Sequence, residues 1–131
     1  MEVSLEVVNQ LVASSLPGTQ GIVFEKVEPG ESICTATVTT ALHNAGGILH
    51  GGVPYTMADT GMAMALIATL DGAFNFSTIE IKMSYFRPVV DGTLVCHTRM
   101  LKKGKRIAFF ESMITEGEVE VAHATGSYCL L

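Results

Sequence analysis

The stretch from residue 51 to residue 70 constrains the fold most, because it is almost wholly apolar and carries one formally charged side chain, Asp59. Its length approaches that of a membrane span, but it also contains Pro54 and several glycines. An aspartate at the centre of a bilayer costs about 2.5–3.5 kcal/mol. Apolar residues lie on nearly every side of a helix drawn through this stretch, as they do in a helix wrapped by its own protein. The stretch therefore predicts a buried core helix over residues 52–68.

Strands predominate in the rest of the chain. Alternating apolar and polar residues, separated by Gly- and Pro-containing turns, are typical of half-buried strands. The pattern predicts a short amphipathic helix that ends before Pro17-Gly18, followed by two strands, the central helix and four more strands. The predicted N-terminal helix covers residues 2–15, and the strands cover residues 21–28, 31–40, 79–85, 93–102, 105–114 and 119–130. An antiparallel sheet curled around one helix fits this order, as an α+β fold with a single domain over residues 1–131.

Composition predicts an oligomer. Of 131 residues, 48% are hydrophobic and only 16% are charged. A domain of this size exposes a large share of its residues, so part of the apolar surface is expected to lie in a subunit interface. The net charge of −5 argues against a nucleic-acid-binding protein.

The sequence favours a cytoplasmic protein. The N-terminus has Glu2 and Glu6 early and no basic region before an apolar one, so no secretory signal is expected. The three cysteines are an odd number without CxxC spacing, which indicates reduced core thiols.

Asp59 is the only formally charged side chain between Glu31 and Asp71. Burying a carboxylate without partners costs free energy, so its presence in an apolar helix implies a compensating role. That role is either structural, as a hydrogen-bonded core acid, or catalytic, because a desolvated carboxylate is a stronger base.

Gly51 and Gly52 open the predicted helix, directly after His50. The first N–H groups of a helix have no partner within it, and the positive end of the helix dipole lies behind them. Glycines admit a close approach to the backbone, so these donors suit a carbonyl oxygen that develops negative charge. An ordinary glycine-rich helix start is the alternative.

Gly51 and Asp59 are too far apart along one helix to act on one carbonyl group. Eight residues at 1.5 Å per residue separate them by about 12 Å. If both act on one substrate, they come from different subunits, whose helices lie antiparallel across a two-fold axis. The oligomer expected from composition agrees with this arrangement.

Motifs around this helix resemble those of the hotdog-fold thioesterases related to the phenylacetate-pathway enzyme and to the mammalian thioesterase superfamily proteins. They extend over about residues 20–130 and comprise His43-Asn44-Ala45-Gly46-Gly47-Ile48-Leu49-His50-Gly51-Gly52, Met57-Ala58-Asp59, Thr78-Ile79-Glu80-Ile81, Tyr85-Phe86-Arg87-Pro88 and Lys103-Gly104-Lys105-Arg106. The resemblance implies a hotdog fold, in which a curled antiparallel sheet wraps one long central helix. It also implies an acyl-CoA thioesterase, whose dimers share a site and often pair into tetramers.

The resemblance assigns a role to each matching residue. Asn44 is expected to orient the attacking water or the thioester, and His50 to hold the loop and the thioester region. The Gly51 amide is expected to polarise the carbonyl, while Asp59 of the other subunit acts as general base or nucleophile. Thr78 matches a position near the water where the family often has Ser or Thr. A thiolate leaves readily, so no strong general acid is demanded.

Five of the eight basic residues fall between residues 99 and 106. Lys103, Lys105 and Arg106 are candidates for binding the phosphates of coenzyme A, together with Arg87. A solvated hairpin whose lysines discourage aggregation is the alternative.

The expected partners are a small-molecule acyl-CoA substrate and further copies of the chain, without nucleic acid or membrane. No metal site is expected, because no Cys/His spacing suggests one, and no cofactor is expected, because CoA is part of the substrate. Two other functions remain open, a hotdog protein that binds acyl-CoA without turnover and a hotdog dehydratase or hydratase. The sequence does not identify the acyl group.

Overall fold

One antiparallel sheet and one long helix form the framework of the protein. The computed structural model describes residues 3–131. Its elements are α1 (Leu5–Ala13), α2 (Leu16–Thr19), β1 (Val23–Glu28), β2 (Glu31–Thr37), a 3-10 helix (Thr40–Leu42), α3 (Gly52–Thr69), β3 (Phe76–Tyr85), β4 (Thr93–Lys103), β5 (Ile107–Glu116) and β6 (Val119–Leu130). The strand order is β1-β2-β4-β5-β6-β3, so β1 and β3 are the edges.

The N-terminal segment differs from its prediction. A single helix over residues 2–15 was expected, but α1 ends at Ala13 and a second, short helix, α2, follows it. Pro17 lies in the first turn of α2, where its missing N–H leaves no hydrogen bond unmade. Residue 2 lies outside the described residues. Ser4 caps α1, since its hydroxyl accepts a hydrogen bond from the N–H of Val7 at 3.2 Å.

α3 packs closely against the sheet because two glycines leave room for it. A Cβ atom on Gly61 would lie 2.7 Å from Oγ1 of Thr98, and one on Gly126 would lie 2.6 Å from Sδ of Met62. The hydroxyl of Ser32 donates to the carbonyl oxygen of Gly61 at 2.7 Å, so a polar group meets the helix at its closest approach. The close approach at Gly61 is thus one between helix and sheet.

The helix is not covered on every side, contrary to the sequence-based expectation. Tyr55 is 39% exposed, and Asp59 on the next turn is only half-buried. The sheet covers the face that carries Met57, Gly61 and Met62, leaving the opposite face partly open.

Cys34 and Cys96 are buried, Cys129 is half-buried, and all three thiols are free, as predicted. Over residues 3–131, no helix is both long and apolar enough to cross a membrane.

Candidate active site

The carboxylate of Asp59 is held by two hydroxyl groups from neighbouring strands. The hydroxyl of Thr78 on β3 donates to Oδ1 of Asp59 at 3.2 Å. The hydroxyl of Tyr128 on β6 donates to the same oxygen and lies 2.8 Å from the main-chain carbonyl oxygen of Asp59. The other carboxylate oxygen, Oδ2, accepts no hydrogen bond from residues 3–131. It is therefore the oxygen available for chemistry.

Strand register places both hydroxyls beside the helix. Thr78 and Tyr128 are direct partners in the β3–β6 ladder. Directly opposite residues in an antiparallel pair project to the same face, so both side chains reach toward α3. The register shifts between Thr78 and Glu80, which leaves Ile79 as the extra residue of a β-bulge. Bulges of this kind redirect side chains next to functional sites.

Tyr128 is protonated at neutral pH. Burial raises the pKa of its phenol far above the ordinary value of 10, and the negative charge of Asp59 and the hydrogen bond to that carboxylate raise it further. A buried phenol that keeps its proton is a permanent donor to the carboxylate.

A second group of predicted residues lies at the start of α3. Gly51 caps the helix, and its N–H donates to no acceptor within residues 3–131. The N–H of Gly52 donates to Nδ1 of His50 at 2.8 Å. Of the two glycine donors expected to be open, only that of Gly51 is therefore free.

His50 is exposed, and the hydrogen bond from Gly52 fixes its tautomer. Because Nδ1 accepts this hydrogen bond, a neutral imidazole carries its proton on Nε2 and can donate there. The main-chain N–H of His50 donates to the carbonyl oxygen of Leu42 at 2.8 Å, which fixes the loop to the segment before it.

Asn44 shapes the loop through its side-chain oxygen. Oδ1 accepts the N–H of Gly46 at 2.8 Å and, more weakly, that of Ile48 at 3.4 Å. The side-chain amide nitrogen donates to no group in the described part of the chain. Asn44 can therefore act as a donor while its oxygen holds the loop.

Asn44, His50 and Gly51 line one open cleft of about 570 Å³. Its other walls come mainly from the segment after β3, including Phe86 and Arg87. The cleft brings together three of the predicted catalytic residues and Arg87, but neither Asp59 nor Thr78 lines it.

The predicted site is thus divided between the start and the middle of one helix. Asp59 and Thr78 meet at one place, while Asn44, His50 and Gly51 meet at another. Gly51 caps the helix that carries Asp59, and the two residues are about 12 Å apart along its axis.

The basic residues of the β4–β5 hairpin lie near the end of β6 that carries Tyr128. The carbonyl oxygen of Arg106 accepts the N–H of Leu130 at 2.7 Å, two residues beyond Tyr128. Lys103, Lys105 and Arg106 are exposed or nearly so, and none forms an ion pair with any residue from 3 to 131. Three uncompensated cations are available there for an anionic ligand.

The sequence-based prediction missed two tyrosines of the site. Tyr128 binds the carboxylate, and the hydroxyl of Tyr85 donates to the carbonyl oxygen of Gly51 at 2.6 Å. Both occur in alternating strand patterns, where tyrosine is common for packing reasons alone. Tyr85 also stands in one of the quoted motifs, whereas the one signal for Tyr128 was scarcity, because the chain contains only three tyrosines.

Comparison with known proteins decides the family. Residues 46–123, which include Gly51, Asp59 and Thr78, match the Thioesterase superfamily. The chain belongs to the thioesterase superfamily. Its predicted hotdog fold and its predicted enzyme class, a thioester hydrolase, are those of this family.

Individual thioesterases are similar to this chain, one in sequence and one in structure. Human acyl-coenzyme A thioesterase 13 is 36% identical over 89 residues, which are 67% of this chain and 63% of the human protein. The chain therefore spans less than two thirds of that relative. A mutant of thioesterase PA1618 from Pseudomonas aeruginosa superimposes with a TM-score of 0.92 at 18% identity, covering 100% of this chain and 96% of that one.

A likeness of fold to the phenylacetate-pathway enzyme is also found. A variant of the phenylacetic acid degradation protein PaaI from Thermus thermophilus has a TM-score of 0.79 at 23% identity, covering 87% of this chain and 96% of that one. These two structural matches establish the hotdog fold of the superfamily member described here.

Proposed function

We propose that this protein hydrolyses an acyl- or aryl-CoA thioester to the free acid and CoA, in a site built by two copies of the chain. The observation that carries the proposal is the division of the site. A carboxylate with one free oxygen lies at one place on α3, and an unpaired N–H lies at its start. A second helix running antiparallel would bring the carboxylate of one subunit to the N–H of the other.

Each group has a step in this reaction. The Gly51 N–H stabilises the negative charge that develops on the thioester oxygen. Asn44 and the Nε2–H of His50 are donors in the same cleft and orient the thioester or the water. Asp59, held through Oδ1, uses Oδ2 either to take a proton from the attacking water or to attack the carbonyl carbon itself. If Asp59 is the base, the hydroxide adds to the carbonyl carbon, the C–S bond breaks, and the thiolate of CoA takes up the proton that Asp59 removed from the water. If Asp59 is the nucleophile, the C–S bond breaks to release CoA and leave the acyl group on Asp59 as an anhydride, which water then hydrolyses to the free acid.

The acyl-coenzyme A substrate is supported by the relative named above and by the unpaired cations. Lys103, Lys105 and Arg106 lie in the hairpin next to the end of β6 that carries Tyr128, the residue bound to the Asp59 carboxylate. Arg87 lines the cleft with Gly51. Both groups are candidates for the phosphates of CoA. The three free thiols fit a reducing compartment, so we assign the reaction to the cytoplasm.

Release of free CoA from a panel of aryl and straight-chain esters tests the proposal, with Asp59→Asn as the inactivating variant. The amide preserves shape but is neither base nor nucleophile, so turnover is expected to fall about 100-fold or more. Asp71→Asn is the matched control, because Asp71 lies in the turn after α3 at a φ of 55°, a conformation that asparagine also adopts readily. That variant is expected to keep full turnover.

The alternative is a protein that binds acyl-CoA without turning it over. Wild-type protein that binds the esters but releases no CoA would establish that function and reject hydrolysis. A single turnover in ¹⁸O-labelled water separates the two roles of Asp59, because only a nucleophilic carboxylate acquires the label.

A further inference from the structure

Tyr128 contributes a hydroxyl group that is nearly inaccessible to solvent yet touches the reactive carboxylate. The residue is 1% exposed, and its hydroxyl donates to Oδ1 of Asp59. The same hydroxyl lies 2.8 Å from the main-chain oxygen of Asp59. A phenol has one proton, so either acceptor takes it at the expense of the other.

The ring of Tyr128 is clamped by packing. Phe76 and Phe110 meet it edge-on, with ring centroids at 5.9 Å and 5.5 Å. Such contacts stabilise the ring beyond the area they bury. The neighbouring strands therefore fix where the hydroxyl points, and the hydroxyl in turn fixes the carboxylate.

We propose that Tyr128 is a positioning residue for Asp59, which holds Oδ1 so that Oδ2 alone faces the reacting thioester. The proposal rests on the hydrolytic function proposed above. Thr78 shares Oδ1 but is exposed, so Tyr128 is the donor that solvent cannot replace.

Asp59 is the main charged group that acts on Tyr128. Asp59 supplies the negative charge that raises the pKa of Tyr128, and Tyr55, one turn earlier on α3, adds a smaller effect in the same direction. Thr78 opposes it through a hydrogen bond. The basic hairpin side chains form no contact with either residue among the hydrogen bonds and ion pairs of residues 3–131.

Tyr128→Phe is the decisive variant, because it keeps the ring and its packing and removes only the hydroxyl. The kcat for a CoA ester is expected to fall about 10- to 100-fold, the usual weight of a hydrogen bond to a charged group, with little change in KM.

Ser112→Ala is the matched control. Ser112 is fully buried on β5 and exchanges a hydrogen bond of 2.6 Å with Thr98, but it does not touch the carboxylate. Its loss should lower thermal stability and leave kcat and KM for the CoA ester unchanged. Tyr128→Phe with wild-type kcat would overturn the proposal, as would an equal loss of kcat in Ser112→Ala.

A spectroscopic measurement tests the contact without turnover. With only three tyrosines, protein carrying ¹³Cζ-tyrosine gives three resolvable signals, which the three Tyr→Phe variants assign. Asp59→Ala is expected to move the Tyr128 signal most, because it removes the charged acceptor. An unresponsive Tyr128 signal rejects the positioning role even if hydrolysis is established. Wild-type protein without turnover rejects the hydrolytic function, whatever the signal does.

Discussion

The hydroxyl of Tyr85 donates a 2.6 Å hydrogen bond to the carbonyl oxygen of Gly51, so the end of β3 fixes the residue that caps α3. The two groups are in close contact, since a Cβ on Gly51 would lie 3.1 Å from the Tyr85 oxygen. Desolvation raises the pKa of this phenol, which keeps it a donor at neutral pH. The position of Gly51 therefore depends on a side chain 34 residues away.

Tyr85→Phe is expected to lower kcat about 3- to 10-fold, because one neutral hydrogen bond that holds Gly51, the proposed oxyanion donor, is lost. Steady-state turnover of a CoA ester measures it. Tyr55→Phe is the control, since the Tyr55 hydroxyl makes only a 3.4 Å contact with the carbonyl oxygen of Ile81. Equal losses in the two variants would argue against the anchoring role of Tyr85.

Two inactive variants are expected to restore activity when they share a dimer. Gly51→Pro removes the N–H of residue 51, and the φ of −59° there suits proline. Combined with Asp59→Asn in mixed dimers, it leaves one intact site per mixed dimer, so random pairing gives about a quarter of wild-type activity. Turnover after co-expression measures this. Mixed dimers no more active than either parent would show that each chain builds its own site.

Neutralising the hairpin by Lys103→Gln, Lys105→Gln and Arg106→Gln together is expected to raise KM for CoA esters roughly tenfold. Three exposed ion pairs of about 0.5 kcal/mol each account for that change. A short thioester without the nucleotide should show no change in KM. Lys26→Gln is the control, because Lys26 is already paired with Glu28 and Glu31. An equal effect on both thioesters would leave the hairpin as a solvated turn.

Gly61→Ala is expected to lower the free energy of unfolding by about 1–3 kcal/mol, the usual cost of overpacking a close contact. The added methyl group would meet Oγ1 of Thr98 at 2.7 Å. Denaturant titration of Gly61→Ala, Thr98→Ala and the double variant measures it. Since Thr98→Ala makes room, the double variant should be more stable than the sum of the two single losses; simple additivity would contradict this contact.

Glu111 is expected to contribute stability that depends on pH. The hydrogen bond from Arg99, at 2.7 Å, and that from His123 hold the pKa of Glu111 below its ordinary value of 4.5. A lowered carboxyl pKa stabilises the fold above pH 4.5, and the effect is lost as pH falls through the folded-state value. Thermal melts between pH 7 and pH 3 should therefore fall less steeply for Glu111→Gln than for wild type. Parallel curves would exclude this contribution.

The long helix and the order of the elements along the chain could be predicted because their patterns leave few alternatives. An apolar run around a single aspartate has the length of one helix, and α3 ends within one residue of its predicted limit. The last strand, residues 119–130, was predicted with both ends correct. The sequence singled out Asp59, Gly51 and Thr78 as candidates for the site, and the structure adds their neighbours in space.

The directions in which side chains project from the sheet were harder to predict. A single inserted residue, such as Ile79 at the bulge, reverses which face later residues occupy, and no pattern marks it. Of the six phenylalanines, Phe74, Phe86 and Phe109 are 60%, 54% and 45% exposed. Hydrophobicity alone does not separate a core position from a cleft wall or an outer sheet face.

The hydrogen bonds to Asp59 determine when the site can form during synthesis of the chain. Its carboxylate is held by a residue 19 positions later and by another 69 positions later. A ribosome releases α3 long before β6, so the helix emerges with its one charge unsupported. The finished carboxylate site exists only after the chain has been made through Tyr128. A chain that stops earlier would contain every residue of the glycine loop and still lack the Tyr128 hydroxyl that holds the carboxylate of Asp59.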